Sequence, residues 1–238
     1  MSFFQSRLSG LFGLGLRLSR EQSQRVQRWQ ALPAQALSVP FADVRCVVVD
    51  VETSGLHLRR DRLISIGAVA IVNGRLDLSD SFSIVLQQEK VSDRENILLH
   101  EISGSVQRAG IQPAEALLAF LEYAGKDPLV AFHVTFDRTM IMRAIKRYLG
   151  FSFRQPWLDL AYIMPGLHPD MAVRLHTLDD WSARYAIRNE ARHNALSDAC
   201  ATAQLMLVGL AHARHRNITS YEGLQYLEKL HRSLHVKY

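Results

Sequence analysis

Asp50 and Glu52 stand two positions apart at the end of the apolar run Cys46-Val47-Val48-Val49. Side chains alternate across a strand, so both carboxylates face the same side. Desolvating two ionised carboxylates there requires a counter-charge. Either one keeps a proton or a cation lies between them. Hard divalent ions such as Mg²⁺ and Mn²⁺ take oxygen ligands of this kind. On its own, such a pair is more often a solvated strand end than a metal site. Thr53-Ser54-Gly55 then turns the chain, and Gly55 allows a backbone to approach a ligand closely.

Three further residues belong to the same inquiry. Asp137 follows Phe136 at the start of a helical pattern, where the helix dipole favours a carboxylate whatever its role. Asp198 falls on the first turn of an apolar helix, among the small residues Ala195, Ala199 and Ala201, and is expected to point inward. His193 precedes that helix in a loop, within reach of whatever Asp198 faces.

The elements that carry these residues are legible in outline. The β-branched run 45–52 reads as a buried central strand. Strands follow at 63–73 and 81–87, with Asn73-Gly74 as a hairpin turn between them. Residues 92–110 read as irregular to helical. Pro113 opens a helix to about Tyr123, and Leu129 to Phe132 is a short buried strand. A helix over about 137–149 places Met140, Ile141, Ala144, Ile145, Tyr148 and Leu149 at helical spacing, with Gly150 as its cap. Helices are expected near 157–163 after Pro156, at 177–185, and at about 194–213. Strands followed by alternating helices and short strands define an α/β fold, a mixed sheet flanked by helices.

The chain has 238 residues, 48% hydrophobic and 21% charged, the profile of a folded globular protein. It contains no run of 18 apolar residues, so no transmembrane span is expected. Cys46 and Cys200 lie in apolar segments and read as buried thiols, which suits a cytoplasmic setting. The net charge of +5 is unevenly placed. Residues 1–40 carry five arginines against one glutamate, and 212–238 carry five cations against two acids, leaving 41–211 mildly acidic. A basic fringe around an acidic centre suits a polyanion held near bound cations, and equally suits solvated tails. The expected organisation is a basic appendage and linker at 1–40, a domain at 41–211 and a basic helical tail at 212–238. Within the appendage, the stretch Met1 to Arg20 lacks acids and mixes leucine and phenylalanine with arginine, as a transit peptide or membrane-surface helix would. Tyr221 to Lys237 reads as an amphipathic helix with Leu224, Leu227, Leu230 and Leu234 on one face.

Taken together, Asp50-Val51-Glu52-Thr53-Ser54-Gly55-Leu56, Phe136-Asp137 and the pair His193…Asp198 form an ordered set over about residues 44–210. The set resembles the DEDD superfamily of 3′-5′ exonucleases, its His-bearing, DnaQ-like branch. The proofreading exonuclease of bacterial DNA polymerase III belongs to that branch. The resemblance implies a ribonuclease-H-like fold and two Mg²⁺ or Mn²⁺ ions held by Asp50, Glu52, Asp137 and Asp198. It implies His193 as the base that takes a proton from the attacking water, the task histidine performs most often among side chains. Thr53, Gly55 and Leu56, with Phe132 and His133, become contacts for the terminal nucleotide. The implied substrate is a single-stranded or frayed 3′ end of DNA, with RNA as an alternative and a DNA polymerase as partner. The segment Phe132-His133-Val134-Thr135-Phe136-Asp137 departs from the usual His-Asn-x-x-Phe-Asp, leaving Phe132 to pack on a base or on the core. A catalytically inactive interaction module is the reading from another class. Four acids facing a polyanion argue against it.

Overall fold

The computed structural model describes residues 18–235, with the side chains of Leu234 and His235 excluded. The expected transit-like stretch at the N-terminus falls almost wholly outside the described residues. Among those described, five strands form one mixed sheet: β1 (Arg45–Thr53), β2 (Leu63–Val72), β3 (Arg75–Val85), β4 (Leu129–Ala131) and β5 (Trp157–Asp159). Their order is β3-β2-β1-β4-β5. The first three pair as an antiparallel meander, and β4 and β5 add in parallel on the other side of β1. Asn73 and Gly74 both take positive φ, 52° and 70°. A tight hairpin between right-twisted strands requires such angles.

Alternation along β1 divides the core. Val47, Val49 and Val51 face a cluster built on α4 (Pro113–Ala124) and α5 (Thr135–Leu149). Cys46 and Val48 face the other cluster, built on α6 (Leu160–Leu167), α8 (Ala195–His215) and α9 (Tyr221–His235). Asp50 and Glu52 continue the second line, so they emerge at the strand end on the side covered by α8.

Two expectations about elements need correction. Residues 157–159 are a strand, not the start of a helix. Pro156 suggested a helix opening, but it ends a loop, and its carbonyl accepts the Leu129 amide (2.9 Å) as β5 joins β4. The helix begins only at Leu160. The third strand starts at Arg75 rather than 81. A bulge between Val69 and Ala70 absorbs the mismatch, and the polar residues Asp77, Ser79 and Asp80 suit an exposed edge strand. The stretch 92–110 resolves into α2 (Arg94–His100) and α3 (Gly104–Ala109), parted by Glu101 in the left-handed region. The short α7 (Leu178–Arg184) carries a capping box between Thr177 and Asp180.

Both flanking segments pack on this body. In α1 (Arg20–Ala31), Val26 and Trp29 enter the first cluster, and the Trp29 indole donates to Gly125 O at 2.7 Å. Arg25 ties the same helix to Glu115 and Glu122 of α4. The linker before β1 pairs with the start of α9, through Phe41 N to Thr219 O and Glu222 N to Leu37 O. On α9, Leu224 and Leu227 pack inward as expected, whereas Leu230 is exposed. The expectation for the Leu234 side chain lies outside the described residues.

Candidate active site

Gly67 of β2 lies opposite Asp50 of β1. A Cβ there would meet the Leu196 amide nitrogen at 2.1 Å. The first turn of α8 therefore rests on the bare backbone of the sheet beside Asp50. That approach brings Asp198 to the strand-end carboxylates. Ligand oxygens of Asp50, Glu52 and Asp198 all lie within 4.8 Å of one another. Asp50 is part-open, while Glu52 and Asp198 are buried.

Each buried acid has a defined set of partners. Asp198 accepts from Arg192 Nη1 at 3.0 and 3.1 Å, from the His193 amide at 3.1 Å, and from the Asn189 side chain. Arg192 is in turn braced by Asp179 at the start of α7. Glu52 Oε2 lies 2.5 Å from His100 Nδ1, an ion-pair contact rather than an aligned hydrogen bond. Glu52 Oε1 is buried without a hydrogen-bond partner among the described residues. The His193 backbone adopts φ 63°, and its ring stands edge-on to that of His100, centroids 6.0 Å apart.

Crowded acids in a desolvated corner resist ionisation. Burial holds the Asp50 carboxyl well above the usual range, reinforced by Asp137, Glu52 and Asp198 and opposed by Arg192. Burial also raises Glu52, against the pull of His100. Asp137 is pushed up to about 8, chiefly by burial, with its own amide and that of Val51 opposing. For His100, burial works against the charge but Glu52 outweighs it, so the imidazole is held above its ordinary value.

The donor set suits a hard divalent cation. Three carboxylates converge and one of their oxygens lacks a partner, and burial disfavours the charge on Asp50 and Glu52 unless a cation offsets it. Asp137 is buried on the first turn of α5, close enough to perturb Asp50 but outside the group of three.

The residues expected at the terminal nucleotide are distributed around the same strand end. The Thr53 hydroxyl donates to Gly55 O at 2.7 Å and so closes the turn. Leu56 projects from that turn, 87% exposed. Phe132 is half-buried and packs one side against the second core cluster. His133 is exposed at φ 64°, its amide donating to Asp159 Oδ1 at 2.9 Å. Asp159 is itself held by Arg232 of α9 at 2.6 Å. His100, Arg192, Asp179 and Asn189 were not anticipated. For Arg192, adjacency to His193 was the only available signal. For His100 there was none.

A mixed sheet with acids at the end of its central strand, met by a helix bearing a third acid, defines a nuclease-type fold. The model of the exonuclease family of RNase T type matches residues 47–206. The chain belongs to that family, and with it to the DnaQ-like 3′-5′ exonucleases. Among curated relatives, a DNA polymerase III PolC-type protein of Thermotoga maritima is 27% identical over 79% of this chain. A DNA polymerase III subunit epsilon-like protein of Rhodobacter capsulatus is 30% identical over 76% of it. The chain spans only 13% and 26% of those two proteins. Among solved structures, Escherichia coli exonuclease I bound to single-stranded DNA matches with a TM-score of 0.62. That match has 17% identity and covers 72% of this chain and 41% of the other. Exonuclease X bound to 5′-overhanging duplex DNA matches at 0.60, with 15% identity, over 77% of this chain and 99% of the other. These two share the fold.

Proposed function

We propose that this protein is a metal-dependent 3′-5′ exonuclease that removes nucleoside 5′-monophosphates from the 3′ end of DNA. The observation that carries the reading is the convergence of Asp50 and Glu52 with Asp198, a residue far along the chain, around an unpartnered buried oxygen. Asp50, Glu52 and Asp198, with Asp137 alongside, would hold two Mg²⁺ or Mn²⁺ ions. When bound, such ions activate water and stabilise the charge on the departing oxygen. The chain's own groups do the rest. His193 takes the proton of the attacking water on its imidazole. The Thr53–Leu56 turn receives the terminal nucleotide, with the Gly55 backbone against the sugar and Leu56 against a base. Asn189, Arg192 and the His193 amide hold the Asp198 carboxylate in one orientation. A polymerase partner is part of the proposal, drawn from the names of the curated relatives.

The test is hydrolysis of 3′-labelled single-stranded DNA and RNA under titration with Mg²⁺ and Mn²⁺. Release of labelled mononucleotide from DNA, lost in Asp50→Ala, supports the reading. Preference for RNA would shift the substrate to an exoribonuclease's. Absence of cleavage of either strand at every metal concentration would reject the reading.

A further inference from the structure

Behind the catalytic turn lies a second concavity. It is a cavity of about 460 Å³ between the segment 61–63 and the outer half of α5. Its lining is buried at Leu63, Met140, Ala144 and Phe153, half-buried at Met142 and Tyr148, and carries the cations Arg62, Arg143, Lys146 and Arg147. Among the described residues, Asp61 is the one acid that lines it. That carboxylate is turned into the neighbouring turn, where it accepts from Ser54 Oγ at 3.1 Å and the His57 amide at 2.7 Å. The four cations are therefore not neutralised. Arg143 reaches backbone carbonyls, those of Leu58, Arg59 and Asp61. Arg62 donates to Gln88 Oε1 and Lys90 O. Lys146 and Arg147 are exposed and form no ion pair among the described residues, Arg147 lying over the Tyr148 ring at 5.3 Å.

We propose that this cavity binds a nucleotide of the substrate strand upstream of the bond being cut, its base against Tyr148 and its phosphate on Lys146 and Arg147. The inference rests on the nuclease reading and adds a second binding site to it. Three observations favour a nucleotide. Unpaired cations beside an aromatic side chain form the combination by which proteins hold single strands. The volume falls in the range of sites that enclose small ligands. The position is also suitable. α5 carries Asp137 on its first turn, beside the acid cluster, and Lys146 further along the same helix, about 14 Å down the axis at the rise of an α-helix. Arg143 links the two places, since it ties α5 to the backbone of the loop that continues the Thr53–Leu56 turn.

The experiment uses the full chain and fluorescein-labelled oligothymidylates from the dimer to the octamer. Binding is read by anisotropy in EDTA, without catalysis, and hydrolysis is read separately with Mn²⁺. Replacing Lys146→Gln with Arg147→Gln is expected to weaken binding of the longer oligomers about tenfold. The slope of log affinity against log salt should fall by about 0.7, one phosphate neutralised on a single strand. Tyr148→Leu should weaken the same oligomers at least fivefold with an unchanged slope. In both variants the hydrolysis of the dimer, which reaches only the acid cluster, should match wild type, while KM for the octamer rises and kcat holds. Octamer affinity unchanged in the double variant overturns the proposal and leaves the cavity to another occupant, such as an acidic peptide. Loss on charge removal with none in Tyr148→Leu also overturns it, reducing the site to a surface attraction. If wild type hydrolyses nothing yet anisotropy shows both losses, the nuclease reading falls and the cavity stands.

Discussion

Replacing Gly67 by alanine should damage the acid cluster without altering any acid. The added Cβ would lie 2.1 Å from Leu196 N, 2.2 Å from Ala195 C and 2.5 Å from Ala195 O. Ordinary contact begins at 3.4 Å, so one partner must retreat by more than an ångström. All three atoms are backbone of α8 and cannot move aside as a flexible side chain would. β2 is clamped between β1 and β3, so the helix end is the part expected to give way. Asp198 sits on that turn and His193 just before it. Overpacking of a tight core costs about 1–3 kcal/mol. A displacement on the order of 1 Å at reacting groups costs about 100-fold in rate. Urea denaturation in EDTA measures the first effect. Release of 3′-terminal label at saturating Mn²⁺, well below the unfolding temperature, measures the second. Substitutions that disturb nothing stay within about 0.5 kcal/mol of wild type. A Gly67→Ala protein inside that margin, with turnover within threefold of wild type, would refute the claim that this contact positions Asp198.

Three further outcomes follow from the same structure. In EDTA the protein should lose stability as pH rises. Asp50, Glu52 and Asp137 titrate higher when folded than when unfolded, so their contribution is complete near pH 4 and, for Asp137, lost through about 8. Denaturation profiles between these limits check this, divalent ions should flatten the loss, and stability rising with pH would contradict it. His100→Ala leaves both oxygens of buried Glu52 without a side-chain partner and should weaken Mn²⁺ binding about 10- to 100-fold, read by titration calorimetry. Trp29→Ala removes the indole bond to Gly125 and its packing on Phe151 and Phe153, costing about 3–5 kcal/mol in denaturation. Its turnover at low temperature should remain within about twofold of wild type.

What could be read from the sequence was what neighbours in the chain encode. The alternation of β1 put Asp50 and Glu52 on one face, the Asn73-Gly74 turn marked the hairpin, and Gly150 ended α5 at φ 79°. The inward direction of Asp198 followed from the alanines around it. What was not legible depends on partners distant in the chain. β5 is a very short strand and exists through its parallel pairing with β4, a contact no local pattern announces. His100 meets Glu52 only because α2 folds back over the strand end, and its segment read as irregular to helical. Nothing in the sequence singled out Gly67 within the strand at 63–73. Its meaning, a seat for the end of α8, appears only when the two elements are placed together. That Phe132 leans on the second cluster while staying half-exposed likewise depends on helices distant in the chain.

The proposed activity requires Asp50, Glu52 and Asp198 to act together as a cation site. Electron paramagnetic resonance of Mn²⁺ titrated into the protein measures this directly. Wild type should take up the ion and quench its free signal, while Asp198→Asn, folded by circular dichroism, should not. Equal uptake by the two proteins would contradict the central claim.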